Sequence, residues 1–403
     1  MIRVLFVDDE TAILEGLRNR LRSLRQVWQM AFATGAEAAL AELSRREYDV
    51  IVTDMRMPGM DGATLLQRVR ATYPQMVRIV LSGQTGKECL LRVLPIAHRF
   101  LAKPCETTDL EAAVERGQSL QARLNDSGIR QFVGAIGRLP ALPPLYRELS
   151  EALEQSDTGL DKVAAIIEQD MSMTARLLQV ANSAFCGRVR PTAHLRDAVT
   201  HMGLNAVRSL VLSAELFATL DTGNTLKGFS LSMLQTYSFR AARIAFRLLN
   251  NPAQANRTEA KTAFSAAMLH DIGHVVLATS LPAFYAPASA LAKAEKLPLH
   301  VAEERVHGFS HAEIGAYLLD LWGLPLPIVE AVAHHHHPER AGEDTFGVTG
   351  AVHVADRLAH LDTDPQAGQN IDAAYLTDAG VFDKLPKWTT LARNVINEVE
   401  RHG

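Results

Sequence analysis

Three short apolar runs rich in β-formers, Val4-Leu5-Phe6-Val7, Val50-Ile51-Val52 and Val77-Arg78-Ile79-Val80-Leu81, are separated by helix-period segments. The helical segments cover Ala12 to Leu24, Ala36 to Leu43 and Gly62 to Val69. This alternation constrains the fold more than any other feature of the chain. Strands joined through helices run parallel, in a sheet covered on both faces. Two weaker runs, Trp28 to Phe32 and Arg99 to Leu101, bring the strand set to five. In such sheets the working residues sit just beyond the carboxyl ends of the strands. There the sequence places Asp8 and Asp9, then Asp54, Ser82 and Lys103. Three carboxylates on one rim repel each other, and a hard divalent cation offsets that repulsion. Mg²⁺ suits the set, with the Arg56 backbone carbonyl as a further oxygen. Asp54 has the chemistry of a carboxylate nucleophile toward a phosphoryl donor. Lys103 and Ser82 would bind the phosphoryl oxygens by charge and hydrogen bond.

The segments Val7-Asp8-Asp9-Glu10, Thr53-Asp54-Met55-Arg56-Met57-Pro58-Gly59-Met60-Asp61-Gly62, Leu81-Ser82-Gly83 and Lys103-Pro104 resemble the four motifs of a two-component receiver domain, in order and at its spacing. The resemblance covers about residues 1–120. It implies a flavodoxin-like fold, phosphorylation of Asp54 by a sensor histidine kinase, and a cis peptide between Lys103 and Pro104. It also sets Phe100 at the position of the family's switch aromatic.

The 403 residues exceed one ordinary core, so a second domain is expected. A helix-favourable stretch from Asp109 to Leu124 closes the first domain. The breakers Asn125-Asp126-Ser127-Gly128 and the run Leu139-Pro140-Ala141-Leu142-Pro143-Pro144 then mark a junction. The expected division is 1–122 for the receiver, 123–138 for a connector, 139–360 for an output domain and 361–403 for a helical extension. Beyond Tyr146 the pattern is helical with no convincing β run, so the output domain reads as all-α.

Histidine usage there is skewed: 11 of the chain's 15 lie between His270 and His360. They occur in Leu269-His270-Asp271-Ile272-Gly273-His274, Ser310-His311-Ala312-Glu313-Ile314-Gly315, the run His334 to His337, and Val352-His353-Val354-Ala355-Asp356. Imidazoles and carboxylates on facing helices are what a Zn, Fe or Mn site in a bundle needs. These segments resemble the HD-related output domain called HDOD, and more distantly the HD-GYP phosphodiesterases. Upstream, LPALPPLYRELSEAL, VAAIIEQDMSMTARLLQVANSAF and LRDAVTHMGLNAVRSLVL resemble HDOD in the same order, with Asn182-Ser183 and Gly203-Leu204 the most specific marks. Met171 departs from the family's proline after Asp170.

The resemblance maps possible metal ligands onto His270, Asp271, His311, His335, His336 and Asp356. HD hydrolases carry a further histidine on the helix before the HD pair. Here the matching position is Tyr237, and no histidine occurs between His201 and His270. A phenol is a poor ligand at neutral pH. The family's lysine after HDIG is replaced by His274, and the Gly-Tyr-Pro sequence is missing.

A net charge of −4 gives no general pull toward nucleic acid or an anionic membrane. No helix-turn-helix with basic recognition residues is visible, so nucleic acid is not an expected partner. The N-terminus MIRVLFVDDE turns acidic too early for a signal peptide, no stretch reaches 18 apolar residues, and Cys89, Cys105 and Cys186 form no metal-spaced pair. A cytoplasmic location without membrane insertion is expected. Two readings of the output domain follow. One is a non-catalytic signalling module, working through a downstream protein or through homodimerisation. The other is a metal-dependent phosphodiesterase acting on a cyclic dinucleotide.

Overall fold

The computed structural model describes residues 1–82, 93, 96–121, 139–141, 148–149, 152–153, 159–182, 192–204, 207, 217–219, 230–250, 257–343, 345–364 and 366–402. The connector assigned to 123–138 lies outside the described residues, as do Cys89, Ser183 and Cys186. Cys105 is a free, half-buried thiol.

Five parallel strands form one sheet in the order β2-β1-β3-β4-β5. They are β1 Ile2–Asp8, β2 Trp28–Thr34, β3 Val50–Asp54, β4 Val77–Ser82 and β5 Arg99–Ala102. Val4 to Val7 on β1 and Val50 to Val52 on β3 are almost wholly buried, as a sheet covered on both faces requires. The intervening helices are α1 Thr11–Arg20, α2 Ala36–Leu43 and α3 Gly62–Thr72, with α4 Thr107–Gln121 after β5. The first helix is shorter than its apolar pattern, because the chain tightens into a 3₁₀ turn over Leu21–Gln26 that still buries Leu21 and Leu24. The strand order reverses between β1 and β3. That switch point opens a crevice at the carboxyl ends, bounded by Asp8 and Asp54. The peptide between Lys103 and Pro104 is cis.

The second domain is a helical bundle. Its helices are α5 Leu160–Ile167, α6 Met171–Ala181, α7 Leu195–Met202, α8 Leu231–Leu249, α9 Arg257–Leu269, α10 Ile272–Ser280, α11 Pro282–Glu295, α12 Leu299–His307, α13 His311–Leu321, α14 Leu326–His334, α15 Val348–Leu358, α16 Ala373–Asp378 and α17 Leu385–His402. Two three-residue strands, β6 Leu139–Ala141 and β7 Phe217–Thr219, pair in parallel and correct the expectation that no strand occurs here. Three residues are too few to show a period-2 pattern, so the pairing was not readable from the sequence.

The family-specific residues have local explanations. Asp170 caps α6 by accepting from Met173 N at 2.9 Å. Met171 therefore occupies the first helical position, where proline is favoured but its missing N–H is not required. Asn182 clamps a distant loop with both ends of its amide, donating to Thr192 O at 3.0 Å and accepting from Thr192 N at 2.6 Å. Gly203 takes φ 76° where α7 stops, a region other residues rarely adopt.

The two domains meet along α4 and β5 on one side and α13 on the other. Among the described residues no single helix is long and apolar enough to cross a membrane. One bent pair, Thr258–Ser280 with Pro282–Glu295, passes by length and composition together, with a 113° bend.

Candidate functional site

At the sheet's carboxyl edge, Asp8 is buried and Asp54 is mostly so, while Asp9 is exposed. Lys103 reaches both inner carboxylates: its Nζ donates to Asp8 Oδ2 at 2.7 Å and to Asp54 Oδ1. Asp54 Oδ2 also accepts from Arg56 N at 2.6 Å, and Asp8 Oδ1 from Glu10 N at 3.0 Å. Burial disfavours the charged ammonium, but the bonds and charges of Asp54 and Asp8 outweigh it and hold the Lys103 pKa above its ordinary value. Two carboxylates sharing one ammonium can equally share a metal cation. The residues present therefore fit Mg²⁺. Ser82 ends β4 with its backbone in register with Ala102, and Phe100 on β5 is buried. Gly62 is obligatory here: a Cβ on it would lie 2.1 Å from the Asp54 carbonyl oxygen.

The second constellation lies inside the bundle. His270 and Asp271 occupy the break between α9 and α10, His311 opens α13, His335 and His336 follow α14, and Asp356 comes from α15. The fold brings all six sequence-derived candidates together. His311 Nε2 lies 3.2 Å from Asp271 Oδ1 and 3.0 Å from His336 Nε2, and His270 Nε2 lies 3.4 Å from both Asp271 Oδ2 and Asp356 Oδ1. Among the described residues, three overlapping triads have ligand atoms close enough to hold a cation: His311-His335-His336, His270-Asp271-His335 and Asp271-His274-His311.

The ring orientations follow one rule. His270 Nδ1 is 2.6 Å from Ala267 O, His335 Nδ1 is 2.8 Å from Val332 O, and His311 Nδ1 is 2.6 Å from Glu303 Oε2. Each outward nitrogen is tied to an oxygen, so each Nε2 faces inward. Metal-ligating histidines are held in this way. The Nε2 atoms of His270 and His335 are buried with no hydrogen bond. These orphaned nitrogens, beside carboxylates, fit a divalent transition metal. His353 is different: its Nδ1 bonds His335 O at 2.7 Å and its Nε2 accepts from Asp372 N at 3.1 Å, so both of its nitrogens serve the scaffold.

The charges are distributed between the rings. Burial opposes protonation of His270, but Asp271 and Asp356 outweigh it and raise its pKa to about 9. Burial likewise opposes His311, and Glu303 with Asp271 raises it to about 10. Burial and the neighbouring charged rings push His335 and His336 well down, so both are neutral. His274 falls to about 4 for the same reasons.

Sequence reasoning missed Glu303, His274 and His300 as members of this cluster. Glu303 is buried to 1% and anchors His311 twice, accepting from its backbone N at 2.9 Å as well as facing its ring. It stands in Ala302-Glu303-Glu304-Arg305, which reads as a solvated helix face. His274 stacks on His311 at 3.6 Å between ring centroids, and His300 stacks on His336 at 3.8 Å. The HDIG position of His274 was the only available signal. Of the four-histidine run, His335 and His336 turn inward, whereas His337 is about one-third exposed beside Glu304 and Glu339. Tyr237 packs its ring 4.1 Å from that of His360.

Helices α10 and α13 cross at two glycines. A Cβ on Gly273 would fall 1.9 Å from the His311 carbonyl oxygen, and one on Gly315 would fall 3.1 Å from Gly273 N. Gly273→Ala must therefore push His311 away from Asp271. The expected result is a loss of about 2–3 kcal/mol in chemical unfolding by a chain that still folds.

Residues 4–115 match the response regulator receiver domain, and residues 139–338 match the HDOD domain. The chain is a response regulator with an HDOD output domain. An uncharacterized protein of Treponema pallidum (strain Nichols) is 26% identical over 209 residues, covering 52% of this chain and 40% of that protein. A protein-glutamate methylesterase/protein-glutamine glutaminase of Paramagnetospirillum magneticum is 33% identical over 150 residues, covering 36% of this chain and 39% of that one. The response regulator thus spans about two fifths of the length of these curated relatives. Among solved structures, the MmoQ response regulator of Methylococcus capsulatus is 25% identical at a TM-score of 0.48, covering 64% of this chain and 98% of its own. A virulence factor of Campylobacter jejuni shares the fold at 20% identity and a TM-score of 0.50, covering 71% of this chain and 97% of its own.

Proposed function

We propose that phosphorylation of Asp54 controls the HDOD domain through the contact between β5 and α13, and that the HDOD output is a metal-holding, non-catalytic signalling module. The observation that carries this reading is the buried pair Arg99–Asp320. Arg99 Nη2 donates to the Asp320 carbonyl at 2.6 Å and lies 3.1 Å from its carboxylate. Arg99 adjoins Phe100 and lies on the strand leading to Lys103. Asp320 lies nine residues along α13 from His311, about 13–14 Å of helix. One rigid element, α13, thus joins the strand that leads to Lys103 to the histidine cluster.

In the receiver, the Asp54 carboxylate oxygen would attack the donor's phosphorus as the bond to the donor's leaving group breaks, giving an acyl phosphate. Mg²⁺, held by Asp8, Asp9, Asp54 and the Arg56 carbonyl, would supply charge neutralisation on the phosphoryl oxygens. Lys103 would exchange its bond with Asp54 for one with the transferred group, and Ser82 would contribute its hydroxyl. A kinase is the natural phosphodonor, and a downstream protein or a second copy of the chain the natural recipient of the signal.

In the HDOD domain, His270, Asp271, His311, His335, His336 and Asp356 would hold a transition metal, with Glu303 fixing the His311 tautomer. Protons on His270 and His311 balance the surrounding carboxylates and must leave before these rings can coordinate, so affinity should rise with pH. The non-catalytic reading is supported by α8, whose Tyr237 packs on His360 instead of supplying the histidine of an HD hydrolase. One observation favours hydrolysis instead: the three triads overlap in Asp271, His311 and His335, so the donor set would suffice for a two-metal hydrolase. Metal analysis of protein purified without a histidine tag, with turnover assays on cyclic dinucleotides, separates the readings. The expected result is bound Fe, Mn or Zn, lost in His335→Ala, without hydrolysis. Metal with turnover makes the domain a phosphodiesterase.

A further inference from the structure

Away from the histidine cluster, a cavity of about 1040 Å³ opens between α5, α7, α8, α9 and α17. Its size is at the upper end of small-molecule sites. Phe239, Phe246 and Phe264 line it, the first and last packed edge to face at 6.4 Å. Its wall carries five cationic residues, Arg196, Arg240, Arg243, Arg247 and Lys261, against two carboxylates, Glu168 and Glu400.

Gln235, also in this wall, is 2% exposed, and neither its Oε1 nor its Nε2 has a hydrogen-bond partner. One helical turn on, the fully buried Ser238 hydroxyl is also unbonded. Buried polar groups are almost always paired, and an amide with both ends unsatisfied lowers stability. A leucine would fill the same space without that penalty, so an amide here points to a partner outside the chain. Asn182, by contrast, uses both ends of its amide within the fold.

The cations are not locked beyond reach of a ligand. Arg243 and Arg247 share one carboxylate, Glu398 of α17, at 2.8 and 2.5 Å. Arg240 pairs with Asp362 and Glu400, Arg196 with Glu168 and Asp161, and Lys261 with Asp197 at 3.5 Å. Two guanidiniums on one carboxylate retain bonding capacity for a phosphate, whose oxygens suit their planar forks.

We propose that this cavity is a binding site for a nucleoside phosphate, with the covered Gln235 amide turning toward the hydrogen-bonding edge of the base as the ligand enters. The phenylalanines hold the faces of the base, and Arg243 and Arg247 take the phosphate beside Glu398. Gln235 offers a donor and an acceptor in one plane, which matches a nucleobase edge better than it does a sugar or a fatty acid. The α17 carboxylates are positioned to yield when the anion arrives, which links occupancy to the docking of the C-terminal helix.

The test uses the full-length protein, titrated calorimetrically with AMP, GMP, UMP, CMP and inorganic phosphate, alongside thermal melts. At least one nucleotide is expected to bind in the micromolar range and raise Tm, with inorganic phosphate far weaker. Gln235→Leu should bind that nucleotide more than tenfold less tightly while its ligand-free Tm stays equal or rises. Lys261→Glu, on the exposed rim, provides a second variant with an intact interior and an expected loss of about tenfold, as one charge contact removed at a partly exposed site. The proposal is overturned if no nucleotide binds below millimolar concentration. It is equally overturned if Gln235→Leu and Lys261→Glu both retain wild-type affinity, which would place the nucleotide elsewhere, including at the histidine cluster.

Discussion

Asp54→Asn is expected to abolish phosphoryl transfer from acetyl phosphate, with adduct detected by intact mass falling below about 1% of wild type, because an amide is no nucleophile at this site. The geometry makes the effect specific. Asp54 ends a buried strand, one of its oxygens engages Lys103, and the other is positioned by Arg56 N at 2.6 Å. No neighbouring carboxylate can substitute. Asp8 is buried and tied to Lys103 and Glu10 N, while Asp9 is exposed at the rim. An asparagine keeps one oxygen to accept from the Arg56 N–H and turns its NH2 toward Lys103, which keeps its bond to Asp8, so the fold should persist by circular dichroism. Substantial residual adduct in Asp54→Asn would mean that another carboxylate accepts the phosphoryl group, and the assignment of the crevice would have to change.

The second large effect is expected at the domain contact. Arg99→Ala should destabilise the protein by on the order of 3 kcal/mol in urea unfolding, the usual cost of removing one member of a buried ion pair. Both side chains are almost fully covered, at 9% and 3% exposure, so solvent screening gives little relief. Arg99 also bonds the Asp320 main-chain carbonyl near the end of α13, which accepts from Gly323 N as well at 2.9 Å. The double variant Arg99→Ala/Asp320→Ala should recover part of the loss, because the buried charge that faced Arg99 is then gone. Strict additivity of the two substitutions would show that the pair carries no coupling.

The receiver was legible because its chemistry and its fold share one signal. Each acidic or basic residue directly follows an apolar run, and the parallel register then brings Asp8, Asp54 and Lys103 to one edge. The weak run from Trp28 is an edge strand with a mixed face, which explains its faint pattern. In the bundle, the six candidate ligands were visible as residue types, but their convergence depended on helix crossings that no local period encodes. The Gly273–His311 approach sets that crossing, and Glu303 takes its role only from being buried beside His311. Arg99 and Asp320 lie 221 residues apart, one in a strand and one in a helix, and neither segment marks its partner. Tyr237, which the resemblance set at the upstream histidine of HD hydrolases, packs on His360, a contact across 123 residues that the sequence does not mark.

The most direct test of the account is hydrogen exchange on the full-length protein with and without beryllofluoride and Mg²⁺, in wild type and in Asp54→Asn. The account predicts that the phosphoryl mimic changes protection in β5 at Arg99–Ala102 and in α13 at Tyr317–Leu321, and that Asp54→Asn shows neither change. Protection changes confined to the loops around Asp54, with α13 unaltered, would contradict it.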